Sequence, residues 1–258
     1  MSSRRYSLTN KTSGGLVKIE RLNVGWFTAA AGIFRAGDDM DRTIRYPVLA
    51  YVIETETERI LIDTGLNPAA IADPAAYYDR PDVFAVSTPE QEQSVADQLD
   101  VGTLTKVVLT HLHWDHVGGL RLIPASVSVV IQRAEWEAGH DDAAVQRNFF
   151  LPRDYAEDSR EVILIDGDHD LLGDGSIELM LTPGHTPGHQ SVRVGDLVLG
   201  IDVAHFASGL DDHRFPVFAD DHEQQGRSAE RLRAMRDAGF TVIPGHDPDI
   251  LHPGVVTA

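Results

Sequence analysis

Residues 105–119, TKVVLTHLHWDHVGG, place a short, unbroken apolar run directly before four side chains of metal-ligand type. The run is too short for a helix and has no polar face. It predicts a strand buried on both sides, inside a layered sheet rather than at a solvated edge. His111, His113, Asp115 and His116 then fall within six residues where that strand ends, and Gly118 and Gly119 follow. Loops at strand ends, positioned by a rigid sheet, are where binding and catalytic groups are commonly built. The chain therefore needs a sheet whose strand ends open onto a shared site.

The rest of the sequence supplies one. YPVLAYVI (46–53) and RILIDTG (59–65) are β-rich and joined by the polar ETETE, which predicts a hairpin. Thr88-Pro89-Glu90-Gln91 matches a capping box with proline at the first helical position, predicting a helix from there to Leu99. SVVIQ (128–132) reads as a strand and RAEWEAGH (133–140) as the helix after it. A second series follows in EVILID (161–166), SIELMLT (176–182), QSVRV (190–194) and DLVLGID (196–202), strands separated by Gly/Asp turns. Residues 223–238 are helical in composition, and FTVIPGHD (240–247) is a last strand running into a loop. The expected fold is α/β (α+β): two sheets face to face with helices outside both, an αββα four-layer sandwich. Residues 1–15, MSSRRYSLTNKTSGG, are expected as a flexible N-terminal arm, and residues 16–258 as a single domain.

Composition narrows the chemistry. The sequence has no cysteine, so disulfides and thiolate ligands are excluded, and any metal must be held by His, Asp and Glu. With 22 basic against 40 acidic residues the formal charge is −18, a field that repels phosphate backbones and anionic lipid. Neither nucleic acid nor a membrane surface is expected as a partner; a small molecule is. No apolar run reaches membrane-spanning length, and no apolar segment follows the early arginines as in a secretory signal. A cytoplasmic location is the expectation, with monomer and homodimer both open.

Four further residues share the placement of the histidine cluster. Asp63 in LIDTG, His185 in TPGHTPGH, Asp202 in GIDVAH and His246 in IPGHD each stand where a predicted strand ends. One loop histidine is usually an ordinary surface residue; the signal is the combination. His111 and His113, two apart in extended chain, point the same way. Asp115 and His116, a turn further on, can point elsewhere, so one loop can serve two adjacent metals. Asp202 can bridge them, because its two carboxylate oxygens bind independently. Imidazole and carboxylate suit zinc and its neighbours.

HLHWDH resembles the HxHxDH signature of the metallo-β-lactamase superfamily, whose fold is the αββα sandwich. More narrowly, LIDTG, HLHWDHVGGL, VIQRAEWEA, TPGHTPGHQS, the aspartate of GIDVAH and the late GHD resemble the N-acyl-homoserine lactone lactonases in order and spacing, from about Tyr46 to His246. That resemblance implies two Zn²⁺, with Co, Mn or Fe as other options. One would be held by His111, His113 and His185, the other by Asp115, His116 and His246, with Asp202 bridging and Asp63 supporting a ligand from behind. Other members of the superfamily fit less well. The best-known zinc β-lactamases use a cysteine ligand, the flavodiiron proteins carry Glu where this chain has His113, and the RNase-type members want a basic surface.

Paired divalent metals lower the pKa of bound water towards about 7. The resemblance thus implies a metal-bridging hydroxide that opens a lactone, with Asp115 passing a proton to the departing ring oxygen. The chain departs from the family three residues after the bridging aspartate, where a tyrosine is usual and His205 stands here. A neutral imidazole can also donate one hydrogen bond to substrate, which makes His205 a catalytic candidate. Trp114 is the candidate pocket wall. Trp26, Phe27, Phe34, Tyr77, Tyr78 and Phe84 receive no role. The function expected is a dinuclear zinc lactonase that quenches a bacterial signal. The alternatives are a promiscuous ester, aryl-ester or organophosphotriester hydrolase, an iron-dependent redox protein, and a non-catalytic metal-binding module.

Overall fold

The alternation of apolar side chains decides the layering. In the strand Thr43–Glu54, Leu49, Tyr51 and Ile53 enter one core while Val48, Ala50 and Val52 enter another. The same split separates Ile60 and Ile62 from Leu61, and Val130 from Val129 and Ile131. Successive side chains leave opposite faces of a strand, so these strands are buried on both sides, as their unbroken apolar runs predict.

The computed structural model describes residues 6–12, 15–156 and 159–251, and its strands form two sheets. The first contains β1 (Tyr6–Thr12), β2 (Gly15–Ala30), β3 (Thr43–Glu54), β4 (Arg59–Ile62), β5 (Ser87–Glu90), β6 (Lys106–Val108), β7 (Ser128–Gln132) and β8 (Val162–Ile165). Their order is β1-β2-β3-β4-β6-β7-β8, with β5 paired to β2. The pairs from β1 to β4 are antiparallel, and those from β4 through β6 and β7 to β8 are parallel. The second sheet contains β9 (His169–Asp170), β10 (Ile177–Leu181), β11 (Gln190–Val194), β12 (Leu197–Ile201) and β13 (Thr241–Pro244), in the order β13-β12-β11-β10-β9.

Between the sheets, Ile19, Ile53, Ile62 and Val108 meet Ile177, Leu179, Val192 and Leu199. Outside the first sheet lie the short helices Val95–Gln98, Arg133–Ala138 and Asp142–Arg147, which add Val95, Ala138 and Ala144 to its outer core. Outside the second lies the helix His222–Asp237, capped by the Asp221 carboxylate, which accepts from Gln224 N. Its buried residues Gln225, Ser228, Ala229 and Leu232 recur at the spacing of one helical face. Ala229 and Leu232 join Met180 and Val198 of the sheet in one cluster. The result is the expected αββα sandwich. Among the described residues no helix is long and apolar enough to cross a membrane.

Two expectations are corrected. Within the stretch expected as an arm, residues 6–12 form β1, paired along its length with β2 from Tyr6 opposite Arg21 to Thr12 opposite Gly15; residues 1–5, 13 and 14 lie outside the described residues. Thr88–Gln91 does not start a helix. Ser87–Glu90 is strand β5, drawn onto β2, with Ser87 and Pro89 buried and Thr88 and Glu90 exposed. The capping box that operates is six residues later: Asp97 N donates to the Ser94 hydroxyl, and Ser94 N donates to the Asp97 carboxylate at 2.8 Å.

Candidate metal centre

The ends of β4, β6, β10, β12 and β13, drawn from both sheets, deliver Asp63, the His111–His116 loop, His185, Asp202 and His246 to one place. Two turns on this path use left-handed backbone. Asp63 sits at φ +57°, which aspartate tolerates. Ile201 sits at φ +50°, where a β-branched residue is strained, and the pairing of β12 with β13 slips one residue beside it. The strained residue is the one before Asp202, as often happens where a fold must aim a functional side chain.

The geometry divides the side chains into two groups sharing a member. In the first, His113 Nδ1 lies 3.0 Å from His111 Nε2 and 2.9 Å from His185 Nε2. Asp202 Oδ2 is 3.4 Å from His185 Nε2 and 3.8 Å from His111 Nε2. In the second, Asp115 Oδ2 is 3.6 Å from His116 Nε2 and 3.5 Å from His246 Nε2, while Asp202 Oδ2 lies 3.5 Å and 3.2 Å from the same two nitrogens. All seven predicted ligands are buried and brought together. One detail differs from expectation. A single oxygen of Asp202, Oδ2, faces both groups, and Oδ1 is buried without a partner against Gly245, where an added Cβ would come within 2.2 Å of it.

Hydrogen-bond partners assign the ring protons. His113 Nε2–H donates to Asn148 O at 2.9 Å. The Thr110 hydroxyl donates to Asp63 and so accepts from His111 Nδ1–H. Burial, with neighbouring imidazoles, holds His111 and His185 well below the ordinary histidine pKa and His113 at about 4. These rings are neutral, so His111 Nε2 and His113 Nδ1 are bare lone pairs facing each other, a repulsive contact unless a cation sits between them. In the second group His116 Nδ1–H donates to Asp63 and His246 Nδ1–H to Pro47 O, each at 2.8 Å, leaving both Nε2 atoms turned inward. Burial opposes charge on His116, yet Asp115, Asp202 and Asp63 outweigh it and raise the pKa well above the ordinary value. The centre calls for positive charge. Ligand atoms about a tetrahedral zinc, with bonds of about 2.0–2.1 Å, lie about 3.3 Å apart, close to the separations here. The residues fit a pair of divalent ions.

Supporting residues fix the loops. Asp63 accepts from Thr110 N, Thr110 Oγ1 and His116 Nδ1, all at 2.8 Å, contacts that orient the loop and the His116 ring. Glu135, which the sequence did not single out, is fully buried and accepts from Leu112 N at 2.9 Å and Gly188 N at 2.8 Å. It ties the His111–His113 loop to the loop carrying His185. Gln225 donates to Asp202 O and Val203 O, and Asp220 N and Asp221 N donate to His185 O and Gly184 O. His189, the second histidine of TPGHTPGH, is structural: it donates to Thr182 O and accepts from Asp202 N. Gly119 is required because the Thr64 carbonyl would lie 2.3 Å from a Cβ there.

Above the ligands opens a pocket lined by Phe27, Ile33, Phe34, Trp114, Phe149 and Phe218, with Asp115, Asp202, His205 and His246 at its polar end. Trp114 is both wall and anchor, edge-to-face with Phe84 at 5.2 Å. Phe27 and Phe34, given no role from the sequence, are walls; they pack on each other at 5.0 Å. Nothing local marks them, because the pocket is assembled from distant segments. His205 is buried, with Nε2 3.1 Å from Asp202 Oδ2 and Nδ1 without a partner.

The chain has clear relatives. The model of the metallo-beta-lactamase superfamily matches residues 43–246. The N-acyl homoserine lactonase AttM of Azorhizobium caulinodans is 29% identical over 218 residues, 79% of this chain and 82% of that protein. An N-acyl homoserine lactone hydrolase, solved with the product N-hexanoyl-L-homoserine at its catalytic metal centre, superposes with a TM-score of 0.79 at 23% identity, covering 90% of this chain and 94% of that one. AidC, a dizinc quorum-quenching lactonase, superposes with a TM-score of 0.68 at 16% identity, covering 94% and 91%. With a family match across most of its length and the same mixed α/β fold, the chain belongs to the metallo-beta-lactamase superfamily.

Proposed function

We propose that the protein is a dinuclear zinc hydrolase that opens the lactone ring of N-acyl homoserine lactones and so quenches a bacterial signal. The observation that carries this reading is the position of Asp202 Oδ2, between two buried ligand groups at the floor of an apolar pocket. The relatives named N-acyl homoserine lactonases, matched over most of their length, support it. His111, His113 and His185 would hold one ion and Asp115, His116 and His246 the other, with Asp202 reaching both. When bound, two divalent ions supply an oxygen nucleophile at neutral pH and polarise a carbonyl.

The chain's own residues supply the rest. Phe27, Phe34, Trp114 and Phe218 form an apolar passage that holds an acyl chain and excludes water from the floor. Asp115, where pocket and ligands meet, takes the proton that the attacking water gives up as its oxygen bonds to the carbonyl carbon, and hands it to the ring oxygen as the carbon–oxygen bond breaks, leaving an acyl homoserine. The test is a panel of acyl homoserine lactones run beside p-nitrophenyl esters and paraoxon, with metal content measured and products identified by mass. Lactones that gain one water, at the highest kcat/KM of the panel, support the proposal. Faster turnover of aryl esters or paraoxon moves the assignment to a broader ester or phosphotriester hydrolase. Iron as purified, with redox activity and no hydrolysis, overturns both.

A further inference from the structure

Five imidazole nitrogens surround Asp202 Oδ2, and the nearest belongs to the residue with no assigned partner role. His205 Nε2 is 3.1 Å away, ahead of His246 at 3.2 Å, His185 at 3.4 Å, His116 at 3.5 Å and His111 at 3.8 Å. One hydrogen bond does not explain this crowding: His205 Nε2 is within hydrogen-bonding distance of Asp202 Oδ2, yet five nitrogens share that single oxygen. His111, His116 and His246 commit a ring N–H to Thr110, Asp63 and Pro47, on the side away from Asp202.

We propose that His205 Nε2 is a further ligand of the second metal, beside Asp202 and His246. The inference rests on the two-metal reading above and concerns only which side chains complete one site. Three observations carry it. Ligand atoms of Asp202, His205 and His246 all lie within 4.8 Å of one another, a third group of metal-ligand type beside the two already described. The 3.1 Å separation from Asp202 Oδ2 lies between the spacings of about 3.0 Å and 3.4 Å set by square and tetrahedral angles at bonds near 2.1 Å. The ring is also closed in, with His246 at 4.9 Å, Phe34 at 5.2 Å and His185 at 5.6 Å between centroids.

That packing leaves the ring little else to do. Nδ1 is buried and meets no donor or acceptor, so it presents no N–H to a molecule in the pocket. Nε2 is turned to Asp202, so the tyrosine-like role of hydrogen-bonding the substrate, expected from the sequence, falls to neither nitrogen. His185 shares this condition, with Nδ1 unpartnered and Nε2 among the ligands. Backbone pairing holds His205 in register with the neighbouring ligand loop: His246 N donates to His205 O at 3.0 Å, and Gly245 N to Ala204 O at 3.2 Å. The second site then has three imidazoles and two carboxylates, against three imidazoles and the shared carboxylate in the first.

The test compares wild type, His205→Ala and His205→Gln, each loaded with zinc and, separately, with cobalt. Zinc per chain is counted, zinc affinity is measured against a chromophoric chelator, and the d–d absorption of the cobalt forms is recorded. The expected result is two metals in wild type and one site weakened about tenfold or more in His205→Ala, with stronger cobalt bands as the coordination number falls. His205→Gln, which keeps a hydrogen-bond donor near Asp202 without the imidazole, is expected to be as weak as alanine; it also preserves bulk should the alanine variant fold poorly. Two metals bound by either variant with unchanged affinity and cobalt spectrum overturn the inference. So does wild-type affinity in the glutamine variant alone, which would make His205 a hydrogen-bond donor to Asp202. Fewer than two metals in wild type overturn the two-metal reading itself, and this inference with it.

Discussion

Asp63 Oδ2 and His116 Nδ1 lie 2.8 Å apart, both buried, one at the end of β4 and the other in the short helix Trp114–Val117 that follows β6. This contact sets the tautomer that turns His116 Nε2 inward. The other two bonds to Asp63 fix Thr110 and, through its hydroxyl, the ring of His111. One carboxylate therefore orients a ligand in each group.

Replacing Asp63 with Asn removes the charge and puts an amide N–H where an acceptor is needed. The expected result is a loss of metal affinity of about 10–100-fold, at both sites rather than one. Zinc retained after dialysis against a graded chelator series measures it; full retention at both sites would remove Asp63 from the support of the centre.

Glu135 makes a separable prediction. Glu135→Ala strands Leu112 N and Gly188 N in a dry interior, and each unsatisfied amide costs about 1–3 kcal/mol. Chemical denaturation of the metal-free protein should register that loss. In the loaded protein the group formed by His111, His113 and His185 should weaken first, since Glu135 joins the loops that carry them. Glu135→Gln keeps one acceptor oxygen and is expected to lose about half as much.

The contrast between these two acids explains what was legible in the sequence. Asp63 and the seven proposed ligands stand at strand ends marked by glycine and aspartate, so pattern and position agree before any folding is considered. Glu135 lies in RAEWEA, which reads as an ordinary helix; its role exists only when Leu112 and Gly188 are brought to it from 23 and 53 residues away. Strand β2 was missed because its burial does not alternate cleanly: the register slips between Asn23 and Gly25, and both faces become buried. The false helix start at Thr88 had the right local chemistry, but a strand edge of β2 competed for the same backbone and won. The four layers followed from apolar runs alone, whereas the pocket's Phe34, Phe149 and Phe218 come from separate segments and needed the structure.

Asp154 gives a pH prediction away from the ligands. It accepts from Tyr78 Oη at 2.7 Å and Asn67 Nδ2 at 2.8 Å, bonds that tie down the segment carrying Phe84 beneath Trp114. Burial raises its pKa to about 6 against those bonds. A raised carboxylate binds a proton more tightly in the folded than in the unfolded state. Its contribution to stability is therefore complete below the unfolded value of about 3.9 and fades as pH rises through about 6. Relative to Asp154→Asn, wild type should gain about 1–1.5 kcal/mol on going from pH 8 to pH 5. Parallel urea denaturation of the two metal-free proteins measures it, and a pH-independent difference would show that Asp154 does not titrate in this range.

Asp115 tests the chemistry at the junction of pocket and centre. Its Oδ2 is 3.5 Å from His246 Nε2 and 3.6 Å from His116 Nε2, and the residue also lines the pocket floor. Asp115→Asn keeps the shape and one ligating oxygen but can no longer carry a transferable proton. If Asp115 serves the leaving oxygen, kcat falls by about 10²–10⁴-fold while KM for the lactone changes little, because the apolar walls that hold the acyl chain are untouched. Metal content must be measured on the same samples, since loss of the carboxylate charge also weakens the second site. Two metals retained with a large fall in kcat assign Asp115 to proton transfer. A fall that disappears when zinc is added back assigns it to ligation alone, and near wild-type turnover with both metals bound excludes it from the reaction.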